Sequence, residues 1–315
     1  MQPPHASTFS RLRPDNRLAW LHITINFVLI AGGVVLAASD YSPLVYLLGQ
    51  MALALGFTQA FILLHEAGHR TLFRQRYLND YIGQMAGFLA LIPYITWRSI
   101  HARHHRYTGW QDLDATTASL VSRPLSRIER IIIDGAWRFW LPLFSIIYRI
   151  QNYWRINRIS SFLGPTVSTA RMRVAVALQL LSYVLLAAWL GLSETLILFG
   201  PGLLIALMGQ DLLLLSQHTG MPSHLSSGQT VRPFPTREQA QFTRSLRLPR
   251  WLSWLFLHFD AHELHHLYPA VPGYQLRNIP YRPPNEVNWL VWLKDVKAKS
   301  GTCFLFGKPR SEAEV

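Results

Sequence analysis

Charged residues are scarce in this sequence: they make up 15% of its 315 residues, whereas hydrophobic residues make up 50%. Soluble domains usually contain about 25% charged residues. The apolar residues are bunched into long runs without charge, which excludes an ordinary soluble domain and predicts an integral membrane protein. Cysteine is nearly absent, and the single Cys303 excludes an internal disulfide and fits a reducing face of the membrane.

Four apolar runs are long enough to cross a bilayer as helices. Short links join the first run to the second and the third to the fourth, so the sequence predicts an all-α integral membrane fold with four transmembrane helices in two hairpins. We expect a single membrane domain over 19–300, between polar tails at 1–18 and 301–315. The predicted spans lie at about 19–38, 44–64, 174–192 and 195–216.

Arginine is unevenly distributed along the chain. Residues 98–173 carry twelve arginines against four acidic residues, and three more arginines follow the second apolar run. Because cytoplasmic loops are enriched in Lys and Arg, we expect this loop, the active site and both termini on the cytoplasmic side. A net charge of +13 could suggest nucleic acid, but these arginines flank membrane segments rather than forming a groove-sized patch. We interpret them as orientation signals and contacts with anionic lipid, and expect no nucleic-acid partner.

The segments between the predicted spans are expected to form a cytoplasmic cap of amphipathic helices. Residues 81–97 are apolar but interrupted by glycine and proline, which favours an interfacial or re-entrant segment. Residues 131–154 mix aromatic side chains with arginine, as is typical of helices at the headgroup level. Residues 251–266 are predicted to form one helix, and His22, near the start of the first span, is interpreted as interfacial.

Nine of the thirteen histidines are gathered in four places. On a helix, residues three and four apart share a face, so each HxxHH motif is expected to aim three imidazoles at a single point. Histidine is the commonest metal ligand, and nine ligands exceed the needs of one ion, so the pattern predicts a two-metal site rather than solvated helix faces. The motifs are His65-Glu-Ala-Gly-His69, His101-Ala-Arg-His104-His105, His218 and His262-Glu-Leu-His265-His266.

The order HxxxH, HxxHH, isolated histidine, HxxHH on four predicted spans resembles the membrane fatty acid desaturase superfamily. The similarity runs from about His65 to Leu276, and it includes Trp97 before the second motif and the run HHLYPAVP from His265. The resemblance implies a non-haem centre of two iron ions that uses O₂ and two externally supplied electrons. It implies as iron ligands His65, His69, His101, His104, His105, His218, His262, His265 and His266.

The activity implied by the resemblance is oxidation of an unactivated C–H bond in a lipid acyl chain, with fatty acid desaturation as the leading interpretation. Hydroxylation, ketolation and oxidative decarboxylation of a fatty acid or other lipid stay open, because they share the oxidant and differ in where the chain is held. The sequence has no haem-attachment, flavin or cysteine-rich ferredoxin pattern. We therefore expect the electron donor to be a separate protein of the ferredoxin, rubredoxin or cytochrome b5 type.

Acidic side chains near the motifs are candidates for orienting the ligands, since a metal-bound histidine usually donates its other ring N–H to a carboxylate or carbonyl. Asp211 lies seven residues before His218 on the same helix face, and an acidic residue inside a membrane is a functional hypothesis by default. We expect it to orient His218, with Asp260 and His258 as further candidates. Weaker candidates are Glu66, Glu263 and Asp114.

Two other classes of protein fit part of the pattern. The first and last motifs also match HExxH, the zinc protease signature in which Glu66 or Glu263 would be the general base. An intramembrane zinc protease would leave the remaining histidines unexplained. A metal transporter would need ligands near the middle of the membrane, whereas these histidines lie at one end of the predicted spans.

Overall fold

A computed structural model describes residues 12–39, 41–164 and 167–307, and the chain is mostly helical within them. The predicted tail residues 1–11 and 308–315 lie outside the described residues. Four helices are long and apolar enough to cross a membrane, which confirms the predicted class; their arrangement as two hairpins under a cytoplasmic cap stays a prediction. These helices are α1 (Asn16–Ala37), α2 (Pro43–His69), α8 (Thr169–Leu190) and α9 (Leu192–His218).

Helices α2 and α9 continue beyond the predicted spans, which were expected to end near residues 64 and 216. Helix α2 runs through both histidines of the HxxxH motif and ends at His69, after which Arg70 takes a left-handed conformation with φ 61°. Helix α9 ends on His218 itself. The length of an apolar run indicates only the part of a helix that can lie in the hydrocarbon of a membrane. The helical backbone hydrogen bonds continue into the polar residues that follow the run. The candidate ligands therefore lie on the last turns of long helices.

Helix α2 lies at the centre of the fold. It packs against α1, α9 and the following helix α3 (Arg76–Leu89), and every residue from 56 to 67 is buried. One of its buried polar side chains, Gln59, donates from Nε2 to the carbonyl of Leu255 at 3.0 Å. Helix α8 differs, because Met172 is its one buried residue. The outer face of α8 is thus available to lipid, while α2 is a protein core element.

The segment between α2 and α8 contains α3 and four further short α-helices. Residues 81–97 do not form one helix, because Leu91 with φ 56° and Pro93 separate α3 from α4. Helices α5 and α6 meet at 116°, so they would form a broken span if they crossed the membrane together; their predicted position at the headgroup level stays a prediction. The helices are α4 (Tyr94–Tyr107), α5 (Arg127–Arg138), α6 (Leu143–Arg149) with a π-helical turn at Ile150–Trp154, and α7 (Ile156–Phe162).

After α9 the chain forms short elements that cover the ends of α2 and α9. A 3₁₀ segment at Thr236–Phe242 precedes β1 (Ser245–Arg247), which pairs in parallel with β2 (Glu286–Asn288). The remaining helices are α10 (Arg250–Leu255), α11 (His262–Leu267), α12 (Gly273–Leu276), α13 (Trp289–Lys297) and α14 (Gly301–Phe306).

Two predicted boundaries require correction. Residues 251–266 form two helices rather than one, because Leu257 and His258 both take positive φ values of 47° and 55° and turn the chain between α10 and α11. The predicted C-terminal tail begins with α14, whose Phe304 is buried against Trp137 at 4.9 Å between ring centroids. Sequence hydropathy missed α14 because a six-residue helix is too short to show a period.

His22 is fully buried rather than interfacial. Its ring lies 4.9 Å from the Trp254 ring and 6.3 Å from the Tyr274 ring, centroid to centroid. Neither of its ring nitrogens has a hydrogen-bond partner among the described residues. His22 is therefore a packing residue between α1 and the C-terminal elements, and it belongs to neither group of candidate metal ligands.

Candidate metal centre

The nine candidate ligands come from four helices that converge at one end of the helix bundle. The last turn of α2 carries the HxxxH motif, and the last residue of α9 is His218. Helices α4 and α11 carry the two HxxHH motifs. Six of the nine histidines are buried and the other three are half-buried, so the imidazoles face one another rather than solvent.

Eight of these histidines form two groups of four, and within each group the ligand nitrogens all lie within 4.8 Å of one another. The ninth, His105, contacts both groups: its Nε2 is 3.1 Å from Nε2 of His101 and 3.0 Å from Nε2 of His265, and its ring stacks on that of His266 with centroids 4.4 Å apart. No other group of this kind occurs in the described ranges. The first cluster contains His65, His69, His101 and His265, and the second contains His104, His218, His262 and His266.

Each HxxHH motif is divided between the two clusters, which corrects the expectation that its three imidazoles meet at one point. On α4, His101 belongs to the first cluster and His104 to the second. On α11, His265 belongs to the first cluster, whereas the i,i+4 pair His262 and His266 belongs to the second. Residues three apart diverge by about 60° around a helix and residues four apart by about 40° in the opposite sense. This angular difference is large enough to direct neighbours in one motif to different ions.

The ring nitrogens approach one another closely. Nε2 of His101 is 2.7 Å from Nε2 of His69, and Nε2 of His262 is 2.9 Å from Nε2 of His218. Nε2 of His65 is buried and has no partner among the described residues. Converging lone pairs of this kind fit a shared metal ion, and neutral imidazole suits iron, zinc or copper.

Burial keeps the clustered imidazoles neutral. Among the ligands outside the membrane-spanning helices, loss of solvent lowers the pKa well below the ordinary value, and the neighbouring histidines lower it further. Because a metal binds the unprotonated ring, this environment favours the form that can coordinate. The histidines concerned are His101, His105, His262, His265 and His266.

Two carboxylates hold ligand rings by their other nitrogen. Oδ2 of Asp114 lies 2.7 Å from Nδ1 of His104, and Oε1 of Glu66 lies 3.1 Å from Nδ1 of His65. Burial raises the pKa of Asp114, but attraction to His104 and hydrogen bonds from His104 and Thr116 outweigh it and lower the pKa to about 2. A carboxylate that accepts from Nδ1 leaves the lone pair of Nε2 free for the cluster.

Several partners of the ligands were missed by sequence reasoning, among them the hydroxyls of Thr116 and Thr108, which lie 3.1 Å from Nδ1 of His104 and 3.5 Å from Nδ1 of His266. Oε1 of Gln239 lies 3.0 Å from Nδ1 of His266, and the carbonyl of Phe242 lies 3.1 Å from Nδ1 of His218. Both residues belong to the 3₁₀ segment, which the sequence presents as part of a proline- and arginine-rich loop. A backbone carbonyl carries no residue-type signal, so the sequence held no sign of the contact with His218.

Asp211 has a different partner from the predicted one. Its Oδ1 accepts a hydrogen bond from the backbone N–H of Ser145 at 2.6 Å, and Nδ1 of His218 is paired with Phe242 instead. Seven residues of helix separate Asp211 from His218 by about 10 Å along the axis, which is too far for direct contact. Asp211 thus anchors the start of α6 rather than orienting His218.

The other candidates for orienting a ligand also contact groups outside the centre. Asp260 accepts from Ser253 Oγ at 2.6 Å and forms an ion pair with Arg277 at 2.7 Å. The ring of His258 contacts the same Ser253 hydroxyl at 2.9 Å. Glu263 accepts from the backbone N–H of Asn285 at 2.9 Å. These side chains join the segments around the centre, and the described contacts give none of them a ligand histidine as a partner.

A small cavity of about 40 Å³ borders both clusters. It is lined on one side by ligand histidines, among them His65 and His262, and on the other by apolar and aromatic side chains from α2, α6 and α9. A second cavity of about 70 Å³ shares with it Thr117, Leu120 and His218. The lining residues of the far wall include Phe61, Phe144, Tyr148, Tyr153 and Leu214.

The glycine of the first motif permits a close approach between α2 and α4. A Cβ atom at Gly68 would lie 2.0 Å from Cζ3 of Trp97, a residue that is 1% exposed. The Trp97 indole in turn stacks on the His101 ring, with centroids 4.3 Å apart and planes 19° apart. Gly68 and Trp97 together set the position of a ligand.

Comparison with known proteins gives one consistent result. The profile of the family described as "Fatty acid desaturase" matches residues 41–283. A fatty acid desaturase of Bacillus subtilis is 27% identical over 271 residues, covering 82% of this chain and 69% of that protein. An sn-1 oleoyl-lipid 12-desaturase of Arthrospira platensis is 24% identical, covering 84% and 75%. An endoplasmic reticulum omega-3 fatty acid desaturase of Vigna radiata is 25% identical, covering 70% and 60%.

Proposed function

The chain belongs to the fatty acid desaturase family, whose members are oxidoreductases, and we propose that it introduces a double bond into an acyl chain of a membrane lipid. The observation that carries this proposal is the pair of four-histidine clusters bordering an apolar cavity. The proposed cofactor is a pair of non-haem iron ions held by the nine histidines named above. Relatives that act on lipid-linked acyl chains, such as the Arthrospira enzyme, support a lipid as substrate.

The reaction requires an oxidant that no side chain provides. Two hydrogen atoms leave adjacent carbons of the acyl chain, and O₂ takes up these atoms with two electrons and two protons to give two molecules of water. Two bound irons would supply the O₂ activation. The electrons come from a separate donor protein of the ferredoxin, rubredoxin or cytochrome b5 type, and the arginine-rich surface favours an acidic donor.

The residues of the chain have separate tasks in this proposal. Phe61 and Phe259 pack edge to face at 5.6 Å beside the centre, and they hold the acyl chain in a dry environment. Asp114 and Glu66 keep a proton on Nδ1 of His104 and His65, so that Nε2 of each ring stays available. The contacts between centre and cavity would then place a C–H bond next to the oxidant.

The zinc protease alternative needs a glutamate that can activate water. Oε2 of Glu66 accepts from Thr71 Oγ1 at 3.0 Å and from the Gly273 backbone N–H at 2.7 Å. Glu263 is occupied by Ser245 and Asn285. Glutamates that hold backbone N–H groups are poor general bases, so the geometry favours the oxidase. Hydroxylation, ketolation and decarboxylation use the same centre and stay as outcomes of the product analysis.

The proposed topology places both termini, the 98–173 loop and the centre on the cytoplasmic side, with the four spans as two hairpins. Reporter fusions at residue 122, within the loop, and at the C-terminus test it. Both reporters are expected to be cytoplasmic. A reporter at residue 122 on the opposite face would separate the loop from the soluble donor and overturn the topology.

Product analysis is the experiment that decides the reaction. The chain is expressed in a host with saturated or monounsaturated membrane lipids, and the fatty acids are analysed by mass spectrometry against a host carrying His105→Ala. A new double bond that is absent with the variant is expected, together with two irons per purified chain. A hydroxylated, ketolated or shortened product would replace desaturation with that reaction, and a single zinc with restored activity would overturn the di-iron proposal.

A further inference from the structure

An apolar slot of about 220 Å³ lies between α2, α9 and the short helices α10 and α13. Thr58 is its one hydroxyl-bearing residue, and that hydroxyl is satisfied by the carbonyl of Ala54 at 2.9 Å. The indole N–H of Trp292, which also lines the slot, is buried and has no acceptor within the described ranges. No residue lines both this slot and the cavity beside the metal centre. The slot is therefore a separate apolar space.

A basic cavity of about 760 Å³ adjoins the slot, and Leu248 and Trp289 line both spaces. Four arginines and two acidic residues line this cavity. The two acids, Asp260 and Glu286, form ion pairs with only two of the arginines, namely Arg247 and Arg277.

The other two arginines leave a surplus of positive charge. Arg250 and Arg282 are exposed, and neither forms an ion pair or side-chain hydrogen bond with any part of the chain that the structure describes. Four positive and two negative side chains give the cavity a net charge of +2 with these residues ionised. Such a cavity is complementary to a phosphate-bearing ligand.

The position of the two spaces identifies the kind of ligand. The slot is bounded by α2 and α9, which are candidate spans. Its residues on α2, Met51 to Thr58, lie about 17–27 Å along the helix from His69, the last residue of α2. Trp251 on α10 is 63% exposed, and tryptophan is enriched at membrane–water interfaces. An apolar slot in hydrocarbon next to a basic cavity at the interface matches the two ends of a phospholipid.

We propose that the slot and the basic cavity together bind one anionic glycerophospholipid, in addition to the substrate. The phosphate group lies at Arg250 and Arg282, an acyl chain lies in the slot, and Trp289 with Leu248 contacts the glycerol region. The surplus charge selects an anionic headgroup over a zwitterionic one. The site does not depend on the proposed desaturase reaction, because it uses none of the residues of the metal centre.

The headgroup half of the proposal is tested by lipid binding without turnover. The purified full chain in neutral detergent is titrated with phosphatidylglycerol and with phosphatidylcholine of the same acyl chains, and bound lipid is counted by native mass spectrometry. We expect one phosphatidylglycerol per chain to bind about tenfold more tightly than phosphatidylcholine. Arg250→Gln/Arg282→Gln should remove this preference. The control Arg127→Gln/Arg173→Gln, which removes two exposed arginines elsewhere, should retain it.

Binding of the acyl chain in the slot is tested with a matched pair of glycine variants on α9. A Cβ atom at Gly209 would meet nothing within 4 Å, and Gly209 lines the slot. Gly209→Leu is expected to fill the slot and weaken phosphatidylglycerol binding about tenfold. Gly200 also has open space around it and lies outside the slot, so Gly200→Leu should bind as the wild type does.

Three results would overturn the site. They are equal affinity for the two lipids, equal loss in both arginine pairs, and unchanged binding in Gly209→Leu. Helical circular dichroism and the thermal unfolding midpoint are measured on each variant to confirm folding, and a variant that fails this check is replaced by Arg282→Gln or Gly209→Val. Because bound lipid is counted directly, the outcome is independent of whether the enzyme desaturates, hydroxylates or does neither.

Discussion

Replacing Asp114 with asparagine removes one negative charge from the side chain that holds His104. The carboxylate is 2% exposed, its Oδ2 lies 2.7 Å from Nδ1 of His104, and its Oδ1 accepts from the N–H of Thr116 at 2.9 Å. Asparagine has the same shape but weakens the bond to the ring N–H. Loss of such a partner typically reduces metal affinity or activity by about 10–100-fold, so we expect this loss of iron in Asp114→Asn.

Asp211 offers a matched control, because it is also a buried acid that accepts from a backbone N–H. Its exposure is 5%, and its Oδ1 accepts from Ser145 at 2.6 Å, on the helix that carries Phe144 and Tyr148 to the cavity wall. Asp211→Leu leaves this N–H unsatisfied, at a cost of about 1–3 kcal/mol in stability. We expect Asp211→Asn to lose less, since one acceptor remains, and both variants to keep full iron per folded chain.

The assay measures iron and stability on the same preparation. Each variant is purified as a monodisperse peak, iron per chain is determined by elemental analysis, and unfolding is followed on heating. The reasoning requires lower iron with Asp114→Asn and a lower midpoint with full iron in Asp211→Leu. Full iron in Asp114→Asn would refute the role of the carboxylate on His104. If the Asp211 variants lose as much iron as Asp114→Asn, Asp211 would have to influence His218, which the distance between them does not support.

The remaining predictions concern packing, ligation and pH. Gly68→Ala should destabilise the fold by about 1–3 kcal/mol and lower iron content, because the new methyl displaces Trp97 from beneath a ligand; an unchanged unfolding midpoint would contradict this. His265→Ala should abolish turnover, whereas the exposed His224→Ala should be nearly silent, and a fully active His265→Ala would remove the central claim. In metal-free protein, stability should fall as pH drops below about 6.5, because the buried ligands have lowered pKa values in the folded state and the unfolded chain takes up protons first. Unfolding midpoints at pH 6 and pH 8 that coincide would show that these rings are not held neutral.

Much of the centre could be predicted because its ligands are close in sequence. Helical spacing of four residues joins His65 to His69 and His262 to His266 without knowledge of the fold, and histidine in such numbers has few other uses. The four spans could also be predicted from the sequence, because an apolar run of twenty residues is recognised from local composition alone. The boundaries were less accurate, because the end of α2 is fixed by the conformation of Arg70 rather than by hydropathy.

Asp114 and Glu66 were candidates from the sequence and do contact ligand histidines, but which ligand each partner contacts could not be predicted by the same reasoning, because several partners come from other segments. Asp114 reaches His104 only because the chain turns back after α4, and Gln239 reaches His266 from a segment with no period. Asp211 shows that helical spacing can also predict a contact that does not exist. It shares a helix face with His218, but two helical turns separate the two side chains and they do not touch. Spacing along one helix predicts which side chains point in the same direction. It predicts contact between them only when they are one turn apart.

The division of each HxxHH motif has a consequence for how the two proposed metal positions depend on each other. Helices α4 and α11 each contribute to both clusters, whereas α2 contributes only to the first and α9 only to the second. A shift of α2 or α9 therefore disturbs one position, but a shift of α4 or α11 disturbs both and changes the distance between them. His105 contacts His101 and His265 of the first cluster and His266 of the second, so it follows the two shared helices. Two ions held in this way would be lost together when α4 moves. Trp97 and Gly68 fix α4 against α2, so their packing bears on both positions.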